Sequence, residues 1–441
     1  MTLPTPARIL VLGGGGREHA LAWKLTRESG VEAVVVAPGS AGIAGEPGVR
    51  CTPVDALDPA AVVALAADER IDLVVVGPEA PLGAGVADAL EAAGIAVFGP
   101  VQSAARMETS KAFCHEVAEA AGVRMARARA FGGGEEADVA AFIRELAADG
   151  ALAVLKADGL AAGKGVIVTD SLEQALGLVP PFLAGRAAGE PALVVEERLS
   201  GPEASVIAIC DGTRTVALPA ARDHKRLGDG DRGPNTGGMG AYSPLPDLTD
   251  DDVELVLATV HGPILAELAR RGSPFRGFLY AGLILTASGP VLLETNVRLG
   301  DPEAQAILPR LDTALAPVLA AAAAGALPAD LGPHLATRAS AAVTIVLAAE
   351  GYPDTPRRGD AIEGIEAAEA TGALVFHAGA AARNRPGGGF ETNGGRVLSV
   401  TALGPDVPAA RAAAERAAEG IAWDGMQRRH DIAATLPEAA P

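Results

Sequence analysis

Aromatic residues and cysteines are scarce in this chain of 441 residues. Phe, Trp and Tyr together make up 3% of the residues, and the three cysteines, Cys51, Cys114 and Cys210, lie far apart in the sequence. An odd number of widely spaced cysteines without a CxxC pair does not indicate a disulfide framework. The sequence therefore fits a reducing, cytosolic setting.

Basic residues and long hydrophobic runs are also few. The 36 lysines and arginines are outnumbered by 55 aspartates and glutamates, so the net charge is −19, opposite in sign to that of a typical duplex-binding protein. The apolar run at 8–12 is too short for a signal peptide, and the alanine-rich run at 318–327 has about half the length that spans a bilayer. We therefore expect no nucleic-acid partner, no membrane partner and a cytoplasmic location.

The first hundred residues alternate between short apolar strands and helical segments. Strands rich in β-branched residues are predicted at 8–12, 33–37 and 72–77, and helical patterns occupy 17–29 and 84–94. Strands that lack a polar face are usually buried on both sides. The alternation predicts a parallel sheet with helices on both faces.

The later part of the chain has a different pattern. Four predicted strands (MARARAF, AVLKAD, GVIVTD and LVVEERL) accompany two helices, from Glu135 to Ala148 and from Ser171 onward, which favours an α+β unit. The glycine-rich segment 221–244 is predicted to be a long functional or disordered loop. One helix is predicted over 251–271, then two strands, and the segment 335–425 has strands and a terminal helix of its own.

The first glycine run, GGGGREH at 13–19, follows a strand and opens a helix. A dinucleotide fingerprint fits it badly, because the third glycine position falls on Glu18 or His19 and the second strand ends in APG rather than in an acid. The free N–H groups of a helix N-terminus bind anions, and Arg17 adds positive charge. We favour a phosphorylated small substrate here, with a tight packing turn as the alternative.

The second glycine run, GLAAGKG at 159–165, differs from a phosphate-binding P-loop. It lacks the spacing and the Ser or Thr of that motif, and a strand rather than a helix follows it. A hairpin flap of this kind can lie over a triphosphate. Lys156 in the preceding strand can neutralise phosphate oxygens. The alternative is an ordinary mobile hairpin with surface lysines.

Two acidic stretches follow downstream. The first, LVVEERLSGPEAS, ends a strand in Glu196 and Glu197 and places Glu203 after a turn, where a carboxylate can meet ribose hydroxyls; solvated surface charges are the alternative. In the second, VLLETNVRLGDPE, Glu294 and Asn296 are two residues apart and so share one face of a strand. Carboxylate and amide oxygens suit the Mg²⁺ that ATP carries.

Arg298 continues the face of Glu294 and Asn296 if the strand persists that far. An acid, an amide and an arginine on one side of a strand are expensive to bury without a ligand. The alternative is an internal ion pair between Glu294 and Arg298.

Taken together and in this order, these motifs resemble the ATP-grasp superfamily and, within it, the phosphoribosylamine–glycine ligase family. The resemblance extends along essentially the whole chain and rests on GGGGREHALAWK, VGPEAPL, SKAF, KADGLAAGKGV, GPNTGGMGAYSP, GFLYAGL and ETNVRLGDPE. It implies an N-terminal Rossmann-like parallel-sheet domain at 1–107, ATP-grasp domains at 108–320 with a small lid at about 125–197, and a C-terminal mixed β/α domain at 335–430.

The resemblance also implies the reaction and the positions that serve it. The family joins glycine to 5-phosphoribosylamine with ATP and Mg²⁺ or Mn²⁺ in de novo purine synthesis, and a monomer is expected. By motif, the ATP positions are Lys111, Lys156, Gly163, Lys164, Gly165, Glu196, Glu197, Leu199 and Glu203. The positions facing phosphoribosylamine are Gly16, Arg17, Glu18, His19, Gly77, Pro78, Glu79, Asp223, His224, Lys225 and Asp301. The metal ligands are Glu294 and Asn296, and the catalytic residues are Arg298 and Lys156.

The chain departs from the family's motifs in two places. Gly14 stands where the first motif commonly has asparagine, and Thr295, Val297 and Leu299 stand where the metal strand commonly has aromatic or cysteine neighbours. Many ATP-grasp enzymes also have a second acidic metal ligand on the preceding strand, whereas this chain has Gly282 there.

The residue types fit a reaction in which one anion attacks another. The glycine carboxylate attacks the γ-phosphorus of ATP to give glycyl phosphate, and the amine of phosphoribosylamine then attacks its carbonyl. Arg298 is the predicted stabiliser of the resulting oxyanion. The alternatives are another ATP-grasp carboxylate–amine ligase or carboxylase of nucleotide metabolism, a nicotinamide oxidoreductase and a non-catalytic nucleotide sensor.

Overall fold

The computed structural model describes residues 3–160, 165–187, 189–383 and 388–437. Its first part is a five-stranded sheet in which every pair is parallel, in the order β3-β2-β1-β4-β5. The strands are β1 (Arg8–Gly13), β2 (Ala33–Pro38), β3 (Val49–Cys51), β4 (Leu73–Val76) and β5 (Val97–Phe98). The helices are α1 (Gly16–Leu25), α2 (Pro59–Asp68), α3 (Glu79–Gly83), α4 (Val86–Ala92) and α5 (Gln102–Thr109). The predicted parallel-sheet domain is confirmed.

A second unit is a small antiparallel sheet in the order β6-β9-β7-β8, packed against two helices. α6 (Lys111–Ala120) precedes this unit and packs into the core of the N-terminal sheet. The elements of the unit are β6 (Ala128–Phe131), α7 (Glu136–Ala148), β7 (Ala153–Ala157), β8 (Val166–Val168), α8 (Leu172–Leu183) and β9 (Leu193–Glu197). Phe142 and Leu146 of α7 and Leu155 of β7 lie in its own apolar core. A separate core lets this unit act as one body.

The segment predicted as a long loop contains four short strands. After β10 (Glu203–Asp211) and β11 (Thr215–Ala217) come β12 (Arg222–Asp223), β13 (Arg226–Gly228), β14 (Arg232–Asn235) and β15 (Gly240–Ser243). The loop prediction was wrong because glycine and proline hide strands this short, and because β15 finds its pairing partner about a hundred residues downstream. β13 and β14 form a two-stranded ribbon of their own.

The predicted helix over 251–271 is two helices separated by one wide turn. α9 (Asp250–Val256) runs into a π-helical turn (Leu257–His261) and then into α10 (Gly262–Arg270). Pro263 has no N–H to donate to a regular helical ladder, and the imidazole Nε2 of His261 lies 3.1 Å from the carbonyl oxygen of Leu279. The helix therefore changes pitch where it meets the next strand.

That strand and its successor complete the central sheet. β16 (Arg276–Thr286) and β17 (Gly289–Asn296) are antiparallel, and the sheet order is β11-β10-β16-β17. A register shift places Gly282 opposite Glu294 and Leu283 opposite Leu292. Apolar residues of this sheet, such as Val206 and Leu279, share one core with Leu10 and Val74 of the N-terminal sheet.

The C-terminal part is a mixed unit built around a long apolar strand. Its elements are α11 (Glu303–Ile307), α12 (Leu315–Ala323), β18 (Ala341–Ala348), β19 (Ala361–Ile362), α13 (Ile365–Glu369), β20 (Leu374–His377), β21 (Ala380–Ala382), β22 (Phe390–Thr392), β23 (Arg396–Gly404) and α14 (Val407–Glu419). The main sheet runs β12-β15-β18-β23-β20, so two of its five strands come from the segment predicted as a loop. Among the described residues, no helix has the length and apolarity to cross a membrane.

A buried carboxylate joins the turn after α1 to the start of α12. Glu28 accepts hydrogen bonds of 2.7 Å from the amides of Leu315 and Ala316 at the start of α12 and pairs with Lys24 at 3.0 Å. We expect Glu28→Ala to lower the free energy of unfolding by about 3 to 5 kcal/mol, because a hydrogen bond to a charged group contributes about 1.5–3 kcal/mol. The measurement is the denaturation midpoint in urea. The control is Glu32→Ala at an exposed position, and equal midpoints for the two variants would contradict the prediction.

Candidate active site

The first glycine turn is held by a carboxylate of its own helix. Glu18 is 2% exposed, and its two oxygens accept from the Gly15 amide at 2.7 Å and from the Arg17 guanidinium at 2.5 Å. A Cβ atom at Gly13 or Gly77 would overlap the Glu18 side chain, so both positions require glycine. Glu18, predicted to face the substrate, therefore shapes the turn, while Gly16 begins α1 with its amide at the helix N-terminus.

The other side chains of this motif point to different neighbours. Arg17 donates to the carbonyl oxygen of Leu299 at 3.2 Å, next to Arg298. His19 is buried and accepts a hydrogen bond of 2.8 Å from the amide of His377 in the C-terminal part, with Glu46 at 3.6 Å from its other nitrogen. The structure therefore brings Arg17 towards the segment that follows Asn296 and turns His19 away from it.

Residues from the C-terminal half of the chain lie against the first glycine turn. A Cβ atom on Gly15 would lie 3.8 Å from a carboxylate oxygen of Asp301, and a Cβ on Gly16 would meet the Gln305 amide. Arg396 donates to the Asp301 carbonyl at 2.6 Å and pairs with its carboxylate at 3.3 Å. Burial raises the pKa of Asp301, but Arg396 and Arg17 outweigh burial and hold that pKa below its usual value.

Arg298 lies between two carboxylates. Its Nε is 3.2 Å from Glu79, the first residue of α3 after Pro78, and its Nη2 is 2.9 Å from Glu108 at the end of α5. Burial alone would raise the pKa of Glu79, but Arg298 and Arg17 bring it below the usual value. The alternative ion pair between Glu294 and Arg298 is not the arrangement found, because these two glutamates are the partners of Arg298.

The two predicted metal ligands lie on the same face of β17. Glu294 and Asn296 are both partly exposed, whereas Thr295 between them is buried and donates to the Met107 carbonyl at 2.8 Å. The Cys114 thiol lies 3.3 Å from the Thr295 hydroxyl, which secures the hidden face of the strand. The Lys225 ammonium, 3.6 Å from Glu294, holds the pKa of that carboxyl below its usual value, so an ionised oxygen faces the site.

Two lysines, one on β7 and one at the start of α6, lie near this face of β17. The Lys156 ammonium on β7 is 5% exposed and lies 2.7 Å from Glu196, and it donates to the Leu293 carbonyl at 3.1 Å. His115 pairs with the other oxygen of Glu196 at 2.8 Å. Lys111 begins α6 and donates to the Gly159 carbonyl at 2.9 Å, and burial lowers the pKa of its ammonium. Both lysines therefore stand at the base of the flap.

The flap itself is described only in part. Gly163 and Lys164 lie outside the described residues. The carbonyl of Gly165 accepts a hydrogen bond of 2.7 Å from the Ala157 amide, so the flap returns directly onto β7. Glu197 faces Arg127 at 3.6 Å, and Leu199 follows β9 in a half-buried position. The register places Glu197 opposite Ala153 at the start of β7, whereas the flap follows Ala157 at the other end of that strand.

The segment Asp223-His224-Lys225 sends its side chains to opposite sides. Lys225 bridges Glu203 at 3.0 Å and Glu294 at 3.6 Å. Burial and the surrounding carboxylates raise the pKa of Asp223 to about 8. The ring of His224 instead packs on Tyr242 and accepts from the Ala433 amide at 3.4 Å, and burial lowers its pKa to about 4. Strand alternation therefore separates His224 from the other two residues.

Sequence reasoning missed three groups of residues in this site. Glu108 holds Arg298 and the Val297 amide, and Asp158 binds the Ser110 hydroxyl and the Ala112 amide at the start of α6. Ser205, hydrogen-bonded to Tyr280 and Glu303, lies opposite Gly282, which is itself opposite Glu294. The acid in KADG was available as a signal for Asp158, but nothing local in the sequence distinguishes Glu108 from a surface glutamate.

Three sequence families match successive parts of the chain. Residues 7–108 match the family described as phosphoribosylglycinamide synthetase, N domain. Residues 109–304 match its ATP-grasp (A) domain, and residues 342–435 match its C domain.

Curated relatives match over nearly the whole chain. The phosphoribosylamine–glycine ligase of Streptomyces coelicolor is 51% identical over 430 residues, which covers 97% of this chain and 99% of the relative. The enzyme of the same name from Ralstonia nicotianae is 45% identical over 428 residues, covering 96% and 98%.

Solved structures show the same architecture. The crystal structure of phosphoribosylamine–glycine ligase from Thermotoga maritima superposes with a TM-score of 0.80 at 33% identity, covering 96% of this chain and all of that one. The biotin carboxylase domain of 2-oxoglutarate carboxylase from Hydrogenobacter thermophilus gives a TM-score of 0.68 at 16% identity, covering 96% of this chain and 92% of that one, a likeness of fold alone.

Proposed function

This chain belongs to the phosphoribosylamine–glycine ligase family of ATP-grasp enzymes. We propose that its ligation reaction takes place between the first glycine turn and the metal strand, which is β17 with Glu294 and Asn296. The protein is a C–N ligase that joins glycine to 5-phosphoribosylamine with ATP in purine biosynthesis. The observation that carries the location is the convergence of Lys156, Lys225 and Arg298 around Glu294 and Asn296 at the C-terminal end of β17.

The nucleotide is proposed to lie between the lid and the central sheet. Lys111 and Lys156 neutralise its phosphates, and the flap that ends at Gly165 covers them. The segment from Glu196 to Leu199 meets the adenine, and Glu203 meets the ribose. Lid motion of this kind shields a hydrolysable intermediate from water.

The residues of the metal strand fit a cation carried by the nucleotide. Glu294 offers an ionised carboxylate, and the Asn296 amide has no side-chain hydrogen bond within the described part of the chain. That part contains no group of three His, Cys, Asp or Glu side chains suited to an ion. Phosphate oxygens of the nucleotide would supply the remaining ligands. Mg²⁺ or Mn²⁺ bound there supplies charge neutralisation for phosphoryl transfer.

The chain's own groups then serve two steps. Lys156 and Arg298 reduce the repulsion between the glycine carboxylate and the γ-phosphate, which lets the carboxylate oxygen displace ADP and form glycyl phosphate. The amine of phosphoribosylamine attacks the acyl carbon, and phosphate leaves as the amide forms. Arg298 donates to the oxyanion of this second step.

Phosphoribosylamine is proposed to bind with its phosphate at the first glycine turn. The amides around Gly16 and the start of α1 face the phosphate, and Asp301 lies within reach of the ribose. Glu79 contacts Arg298 at 3.2 Å, and Asp223 lies near Lys225 and Glu294, so both carboxylates are proposed to face the same substrate. The domain limits 1–107, 108–320 with a lid at 125–197, and 335–430, the monomeric state and the cytoplasmic location stay predictions.

The deciding experiment is a product assay with purified protein. We expect ADP and glycinamide ribonucleotide to form in equal amounts only when ATP, a divalent cation, glycine and phosphoribosylamine are all present. Omission of each component in turn is the control, and bicarbonate in place of glycine tests for carboxylation. Intact ATP in the complete mixture, or turnover that proceeds equally with bicarbonate, would overturn the proposal.

A further inference from the structure

We propose that Glu108 is a positioning residue of the ligation reaction, which fixes Arg298 and the end of the metal strand with its two carboxylate oxygens. One oxygen lies 2.9 Å from Nη2 of Arg298, and the other accepts a hydrogen bond of 2.7 Å from the Val297 amide. Glu108 therefore holds both the Val297 backbone and the Arg298 side chain. The inference rests on the proposed role of Arg298.

The contact between Glu108 and Arg298 is largely shielded from water. The Glu108 side chain is 7% exposed and that of Arg298 is 18% exposed, so water cannot replace a lost partner easily. Burial also raises the pKa of Glu108 above its usual value, and Arg298 opposes that rise. Arg298 therefore favours the charged form of Glu108.

Geometry distinguishes Glu108 from Glu79, the other carboxylate at Arg298. Glu79 is 30% exposed and approaches Nε at 3.2 Å, on the side of the first glycine turn. Glu108 approaches Nη2 at 2.9 Å and, unlike Glu79, also accepts a hydrogen bond from the Val297 amide just after β17. That second bond holds the Glu108 carboxylate against the backbone next to Arg298, so its contact with the guanidinium is made by a fixed group.

The position of Glu108 in the chain also connects Arg298 to the rest of the site. The preceding residue, Met107, accepts the hydrogen bond of Thr295, which lies between the two metal ligands. Two residues later, the Ser110 hydroxyl contacts Asp158 at the base of the flap. The junction of α5 and α6 therefore supports the metal strand, the arginine and the flap together.

Replacing Glu108 by glutamine tests the inference. An amide offers one acceptor oxygen in place of two, and it places a donor against either Arg298 or the Val297 amide. We expect E108Q to lower kcat about 10- to 100-fold, as small misplacements of reacting groups do, while KM for ATP stays unchanged because the adenosine positions lie elsewhere. A uniform rise in every KM, or a fall in activity that follows the loss of folded protein, would show a merely structural role and overturn the inference.

Chemical rescue provides a second readout that a structural role would not change. In R298A, the carboxylates of Glu79 and Glu108 remain as a site for free guanidinium, so added guanidinium at low millimolar concentration is expected to restore part of kcat. In the double variant R298A/E108Q, this restoration is expected to be lost. Equal rescue of both variants, or rescue of neither, would overturn the inference.

Glu267 provides a matched control for the loss of a buried carboxylate. It is likewise 7% exposed and accepts hydrogen bonds from two arginines, Arg270 and Arg271, but it lies on α10 outside the site. E267Q is expected to retain the wild-type kcat. If R298A itself kept full activity, the proposed role of Arg298 would fail, whereas an inactive R298A beside a fully active E108Q would refute the role of Glu108 alone.

Discussion

Glu294→Ala is expected to lower kcat by about 10³-fold or more, because a correctly held cation contributes several kcal/mol to phosphoryl transfer and each 1.36 kcal/mol is about tenfold in rate. The fold should persist, since Glu294 is partly exposed and its nearest partner, Lys225, keeps Glu203 at 3.0 Å. The measurement is steady-state turnover over a range of Mg²⁺ concentrations, with circular dichroism to verify the fold.

A Mn²⁺-binding measurement in the presence of ADP separates loss of the cation from loss of the fold. Glu294→Ala should bind Mn²⁺·ADP more weakly, and excess metal should restore little activity because Asn296 alone remains on the strand. Glu419→Ala, an exposed carboxylate at the end of α14, is the control and should behave as wild type. A Glu294→Ala protein with wild-type kcat would refute the assignment of the metal strand.

Arg298→Ala is expected to lower kcat by about 10²- to 10³-fold, because removal of one donor to an oxyanion costs about 2.7–4 kcal/mol. The variant also leaves Glu79 and Glu108 without their shared cation, and an uncompensated buried charge destabilises the protein by about 3–5 kcal/mol. Activity must therefore be expressed per folded molecule, measured at a temperature well below the unfolding midpoint.

Arg298→Lys isolates the geometric part of that effect. A lysine keeps the charge but cannot donate to Glu79, Glu108 and the substrate in fixed directions, so we expect it to recover stability while most of the kcat loss remains. Arg338→Ala, an exposed arginine paired with Asp312 at 3.2 Å, is the control. Near-normal kcat in Arg298→Lys would mean that charge alone is required.

The parts of the fold that sequence patterns predicted are those governed by local periodicity. All-apolar strands such as β2 and β4 can be recognised one at a time, since burial on both faces leaves no polar positions. Glu294 and Asn296 share one face of β17 because side chains of a strand alternate with a period of two residues. The same period explains why His224 diverges from Asp223 and Lys225, which motif matching alone did not separate.

What the sequence could not show depends on contacts between distant segments. Glu108 meets Arg298 across 190 residues of chain, and no pattern near Glu108 specifies that contact. The strands within 221–244 were missed for the same reason, since β15 becomes a strand by pairing with β18. The π-helical turn before Pro263 likewise reflects packing of His261 against β16 rather than helix propensity.

The pairing of β15 with β18 has a consequence for dissection of the enzyme. β12, which contains Asp223 and precedes Lys225, pairs with β15, and β15 pairs with β18 of the C-terminal sheet. Tyr242 of β15 lies opposite both Arg222 and Val343. A chain ended before β18 would leave β15 with an unsatisfied edge and would release the segment that presents Lys225 to Glu294. The C-terminal sheet therefore helps to hold Lys225 beside Glu294, and we expect a chain that ends before β18 to lose ligase activity.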